Sequence, residues 1–344
     1  FFFKQKTAYE ILTCDWSSDV CSSDLGLFAP VSREGALVFN NLFLTAACAT
    51  VFIGTLYPLA LEALTGEKIS VGAPFFNLTF GPLFVPLLLA VPFGPLLAWK
   101  RGDLLGVAQR LMGAAALAFV GIAATFAIMG AKAILAPFMI GLAVYVMAGA
   151  LTDIVERTGL FRSPFSSSMS RARGLPRSAW GTAIAHFGLG VTLLGIVCET
   201  NWSSERIVVV KPNDVVSISS YELIFQGLTQ RQGPNYRELT ARFVVKSGGS
   251  DVGVLEPSKR TFATRAMSTT EAALLTRGVS QLYLSLGDLN ADGSMAIRLY
   301  HKPLVLLIWL GAVVMMLGGL LSLSDRRLRV GAPKPARAAL QPAE

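Results

Sequence analysis

Charge is scarce in this chain. Only 15% of its 344 residues are Asp, Glu, Lys or Arg, against 53% hydrophobic, where soluble domains carry about 25% charged residues. That imbalance excludes an ordinary soluble domain. Histidine is scarcer still, with two in the whole sequence, His186 and His301. The four cysteines form no C-x-x-C pair, which argues against a dithiol redox centre and against a clustered-thiolate metal site. There is no glycine-rich phosphate loop, no Ser-His-Asp arrangement, no zinc-ligand spacing and no internal repeat.

Long apolar runs are what the chain has instead. A helix needs about 20 apolar residues to cross a bilayer, and six stretches approach that length: 38–61, 82–98, 111–129, 133–151, 179–197 and 304–323. The net charge of +8 does not point to nucleic acid, because the basic residues fall in short loops beside the apolar runs. Arg33 precedes the first run. Lys100, Arg101 and Arg110 lie between the second and third, and Arg157, Arg162, Arg171, Arg173 and Arg177 between the fourth and fifth. Arg326, Arg327 and Arg329 follow the sixth. Simple alternation puts all of these on one side, the cytoplasm, and leaves Lys68 and Lys132 in the short outer loops.

The long insert, about 199–302, then lies outside, in a bacterial periplasm. Its texture differs from the rest. Arg206–Val210, Val215–Phe225, Glu238–Val245 and Met295–Tyr300 are short and β-branched or alternating, with turn signals at Pro212–Asp214, Gly233–Asn235, Ser247–Ser250 and Asn290–Gly293. The pattern predicts a small β-barrel or sandwich, with one short helix over Thr269–Thr276. The Ser163–Pro176 segment reads as a polar, basic, mobile loop. The fold class is a polytopic α-helical membrane protein of about six transmembrane helices, with one periplasmic all-β domain inserted before the last. Residues 26–198 form the first five helices, 199–302 the β domain, 303–324 the last helix and 325–344 a cytoplasmic tail.

His186 is the residue that asks for a reason. It sits in an otherwise apolar helix, and a titratable ring in a lipid-spanning segment is costly unless it faces the protein interior and has a task. Imidazole is a common axial ligand of heme iron. Thr182, Ala183 and Gly190 share its face, with Ala179 a turn away. Such small side chains leave room for a flat macrocycle. Equally, they allow close helix packing, with His186 hydrogen-bonded to a neighbouring helix. Both readings stand. His301 falls at the opposite membrane face, roughly 20 Å away across a core about 30 Å thick, so it cannot share an iron with His186. It reads as an interfacial residue near Trp309. Asn40 and Asn41 read as glue between helices rather than the lining of a polar path, and Asp153 and Glu156 as solvated groups at a helix end.

Residues 1–25 show neither signal-peptide order nor periodicity. They resemble translated sequencing-adapter read-through, and the expectation is that native sequence begins near Gly26 and extends upstream.

From Gly26 to about Arg329 the chain resembles the C-terminal half of the CcmF/NrfE family, the heme lyase subunits of cytochrome c maturation. The matching residues include Ser32-Arg-Glu-Gly-Ala36, Asn40-Asn41, Gly54–Pro58 and Gly66–Val71. They continue with Ala185-His-Phe-Gly-Leu189, Ser204-Glu-Arg206, Gly233-Pro-Asn-Tyr236 and Pro257-Ser-Lys-Arg260. Met267–Ala273, Leu282–Gly287, Arg298-Leu-Tyr300, Lys302-Pro303 and Gly318–Arg327 complete the set. The resemblance implies a subunit that takes heme from the chaperone CcmE and, with CcmH-type and CcmI-type partners, supports its attachment to apocytochrome c. It also implies a b-type heme between two membrane histidines, reduced by quinol. His186 matches the second of these as an axial ligand of the iron. The family's tryptophan-rich heme-binding segment, the two histidines flanking it and the first membrane histidine have no counterpart here. They are expected upstream of Gly26, and the second axial ligand with them, so the fragment alone is expected to be inactive as a lyase. Two other classes stay open: a membrane transporter with His186 and the Asn pair on its path, and a non-catalytic assembly scaffold.

Overall fold

The computed structural model describes residues 29–130, 134–262, 268–291 and 293–325. The readings of residues 1–25, of Lys132 and of the tail with Arg326, Arg327 and Arg329 fall outside the described residues. Six described helices are long and apolar enough to cross a membrane, and an all-β sandwich precedes the last of them. The chain divides into two compact units, one formed by the residues up to 120, 144–188 and 314 onward, the other by 121–143 and 189–313.

In the first unit, α1 (Arg33–Thr65) begins where Ser32 turns its hydroxyl back to accept the Gly35 N–H at 3.0 Å. It ends at Gly66, whose φ of 75° is the left-handed conformation that releases a chain from a helix. α2 runs Ala73–Ala90, followed by a 3-10 turn at Gly94–Leu96. The sequence placed this span at 82–98, taking Pro82 as its start. Pro74 near the N-terminus starts it instead, and Pro82 and Pro86 lie within the helix, as membrane helices tolerate. α1 and α2 pack closely: a methyl on Gly54 would stand 2.7 Å from the Phe75 ring. α3 (Leu104–Arg110) is capped by Asp103, which accepts from Gly106 N–H at 3.0 Å, and leads into α4 (Met112–Met129).

α5 spans Leu135–Thr158 and α7 spans Arg177–Trp202. Between them the expected mobile loop is in fact a helix, α6 (Phe165–Gly174). Ser168 is buried with its hydroxyl toward the Gly159 carbonyl, the Trp180 indole N–H donates to the Ala172 carbonyl at 3.3 Å, and Arg171 and Arg173 occupy the last turn. Cations there suit the negative end of the helix dipole, a pattern that polar composition alone concealed. Asp153 is also not solvated: it is 3% exposed, and Arg157 Nε donates to its Oδ1 at 2.8 Å. Just beyond the last helix, α8 (Leu306–Leu323), Asp325 accepts the Ser178 N–H at 3.1 Å and so caps the start of α7.

The second unit contains the sandwich. Its four-stranded sheet runs in the order β1 (Ser204–Val210), β10 (Met295–Lys302), β9 (Ser280–Leu289), β8 (Ala273–Arg277). The other sheet follows β2 (Val215–Ile218), β3 (Tyr221–Gln232), β4 (Tyr236–Ser247), β6 (Ser258–Phe262), β7 (Ser268–Glu271), with β5 (Ser250–Leu255) also paired to β4. Every pairing is antiparallel. Alternate residues face inward: Met295, Ile297 and Leu299 of β10 are buried, as are Leu223 and Phe225 of β3 and Phe243 and Val245 of β4. Phe225 and Phe243 stack with centroids 4.9 Å apart at the centre.

The helix expected over Thr269–Thr276 is two strands instead. Thr270 pairs with Lys259 in one sheet, and Leu275 pairs with Leu282 in the other while packing on the core. The β-branched threonines and the period of two outweighed the cap-like start. Two family-like motifs meet here. The Tyr236 ring lies against Gly233, where a methyl would stand 2.5 Å from it, and Arg260 rests over that ring at 4.7 Å while pairing with Glu238 at 3.0 Å and Glu271 at 3.2 Å.

Candidate functional site

His186 lies nine positions into α7, so its Cα is about 14 Å along the helix from Arg177 at 1.5 Å per residue. Its neighbours on the same face, Gly181, Thr182 and Ala185, line a half-open cavity of about 460 Å³ with it. The cavity belongs to the first unit. α1 contributes Arg33, Ala36, Leu37, Phe39 and Asn40, α2 and the turn after it Leu87, Ala90, Val91, Gly94 and Pro95, and α8 Gly318, Gly319 and Ser322. The walls are mainly aliphatic and aromatic, and the polar groups are few.

Small residues do two different jobs at this site. Gly181 and Gly318 are used up by helix packing: a methyl on Gly181 would stand 2.5 Å from the Gly318 carbonyl oxygen and 2.6 Å from Ser322 N. Gly181 with Ala185 and Gly318 with Ser322 form facing small-xxx-small pairs, the usual means of bringing two membrane helices into backbone contact. Gly319 is different, because nothing lies within 4 Å of where its methyl would be. Thr182 turns its hydroxyl back to the Ser178 carbonyl at 2.9 Å. The His186 ring, by contrast, makes no hydrogen bond to any described residue. The sequence left open whether His186 glues helices together or faces a cavity. It faces the cavity, and the helix contact is made by its glycine neighbours.

Asn40 behaves similarly. Asn40, read from sequence as helix glue, lines the same cavity, with no hydrogen bond to a described residue. Arg33 is the site residue that sequence reading passed over, having counted it only as a loop charge. It opens α1, donates its N–H to the Ala98 carbonyl at 2.9 Å, and lays its guanidinium over the Trp99 ring at 5.0 Å. The signal was its place directly after a capping serine, which fixes it at a helix mouth. His301 is elsewhere, in β10, with its ring 5.7 Å from that of Tyr221, and burial lowers its pKa from the ordinary histidine value. Asn41 and Glu156 do not line the His186 cavity.

Among the described residues no group of three or more His, Cys, Asp or Glu could hold a bare metal ion. A metal at His186 would need most of its ligands from a prosthetic group. A porphyrin supplies four nitrogens and asks the protein for axial ligands only. An unpartnered imidazole on a largely apolar cavity, with open space at Gly319, fits that requirement.

The model of the CcmF C-terminal beta-sandwich matches residues 201–303, the span of the β domain. The cytochrome c-type biogenesis protein CycK of Bradyrhizobium diazoefficiens is 65% identical over 93% of this chain and 49% of its own length. CcmF of Pseudomonas aeruginosa is 36% identical over 93% of this chain and 48% of its own. The chain thus spans about half the length of these relatives. A solved structure of the cytochrome c heme lyase CcmF shares the fold, with a TM-score of 0.67 and 24% identity over 86% of this chain and 46% of that one. The chain is thus similar to CcmF-type cytochrome c biogenesis proteins over about half of their length.

Proposed function

We propose that this chain is part of a cytochrome c heme lyase subunit, with His186 as an axial ligand of a b-type heme held in the α1–α2–α7–α8 cavity. The observation that carries the reading is the placement of an unpartnered imidazole on an apolar cavity, in a chain whose relatives are named cytochrome c-type biogenesis proteins. When bound, the heme would supply one-electron chemistry. The chain's own share is to hold the ring: Ala185 and Gly319 give it space, the Gly181–Gly318 contact fixes the wall, and the aliphatic residues of α1 and α2 exclude water.

The second axial ligand, on this reading, comes from sequence that this chain does not contain. The sandwich is a partner surface rather than a catalytic centre. The protein resides in the bacterial inner membrane with the sandwich in the periplasm, which the Lys/Arg bias of the loops supports. Its partners are CcmH-type and CcmI-type subunits, the heme-loaded chaperone CcmE, apocytochrome c and quinol.

The test of the lyase role is genetic. In a strain deleted for the full-length gene, heme-stained cytochromes c should vanish and return with the parental gene. Normal covalent heme on those cytochromes in the deletion strain would refute the role.

A further inference from the structure

Arg33 is the one permanent charge among the residues lining the His186 cavity. It stands at the start of α1, and its guanidinium is pinned by the Trp99 ring at 5.0 Å. Asp153 and Glu34 are the acids near it, and Asp153 Oδ2 is buried without a hydrogen-bond partner. Asp153 Oδ1 accepts from Arg157 at 2.8 Å, and Glu34 Oε2 accepts the Lys100 N–H at 2.8 Å. Arg33 itself forms no ion pair with a described residue. Asp153 and Glu34 act on it only through space, so its fork has no direct carboxylate pair among the described residues, the partner such a fork is suited to.

Asn40 lines the same wall two turns along α1 from Arg33. One face of α1 therefore offers a guanidinium and an amide to whatever occupies the cavity, while α7 offers the imidazole. This is a site for a flat, largely apolar ligand with an acidic edge. We propose that Arg33 is the counter-charge for a carboxylate of the macrocycle bound at His186, with Asn40 as the neutral donor beside it. The proposal rests on His186 as the axial ligand. Arg33 is a positioning residue: it orients the ring and does not touch the iron.

The test compares two probes, hemin and hemin dimethyl ester, whose esterified propionates cannot ionise; Arg33→Gln controls for the added methyl groups. Each is titrated into the full-length protein after heme removal. The parent should bind hemin about tenfold more tightly than the ester, the difference one charge-assisted pair makes. Arg33→Gln should reduce that ratio to near one, and Arg33→Lys should retain part of it. No preference in the parent, or the same preference in Arg33→Gln, overturns the proposal. The parental ratio needs no variant to fold. A preference that disappears when anionic lipid is added would assign Arg33 to a headgroup and also overturn it. His186→Ala keeps the two readings apart, since unchanged affinity for both probes would refute the ligand while the Arg33 ratio is read independently.

Discussion

Gly181 and Gly318 bring α7 and α8 into backbone contact, so close that a methyl on Gly318 would stand 2.5 Å from Ala185 N and 2.7 Å from the Gly181 carbonyl oxygen. The wall of the His186 cavity exists because neither residue has a side chain. Gly318→Val should push the helices apart and cost about 1–3 kcal/mol, the usual range for overpacking. Gly319→Ala, one residue on, should be tolerated. The check is the thermal midpoint of each variant purified without heme. Equal behaviour of the two would mean that the contact does not shape the cavity.

Much of this was legible in the sequence, and the failures share a cause. Apolar run length gave the six membrane helices because a bilayer sets that length directly. Alternation gave β3, β4 and β10 because one face of each is buried in the sandwich. His186 stood out because polar residues are rare in such helices. What was missed depends on tertiary partners. Asp153 looked solvated until Arg157 and its burial were seen, and α6 looked like a loop because its stabilising contacts, Ser168 to Gly159 and Trp180 to Ala172, come from flanking segments. Arg33 looked like a topology signal until α7 and α8 were seen to share its cavity.

Asp325 caps the start of α7 from just beyond α8, accepting the Ser178 N–H at 3.1 Å. Asp325→Ala should cost about 0.5–2 kcal/mol, the range for losing a helix N-cap. The measurement is the thermal midpoint of the purified protein against that of Asp325→Asn, which keeps an acceptor and should lose less. A larger loss in the asparagine variant would contradict the cap.

The Phe225–Phe243 stack is the centre of the sandwich, and both rings are 0% exposed. Phe243→Ala should cost about 3–5 kcal/mol and render the β domain sensitive to protease at temperatures where the parent resists. Cleavage of the variant at the parental rate would show that the stack contributes little.

Burial holds His301 below the ordinary histidine pKa of about 6.5. The unfolded chain therefore takes up a proton more readily than the folded one. Stability of the β domain should be full above about pH 6.5 and decline as pH falls through that value toward the folded pKa. His301→Phe should flatten that decline between pH 7 and pH 5. Thermal midpoints collected across this range read it directly, and parallel curves for parent and variant would exclude His301 as the source.

The central claim is that the His186 imidazole binds heme iron. The reduced-minus-oxidised absorbance spectrum of the full-length protein, purified with and without His186→Ala, tests it most directly. The account expects a b-type signal in the parent and its loss or marked alteration in the variant, with the protein otherwise intact. A b-type signal unchanged by His186→Ala would contradict it.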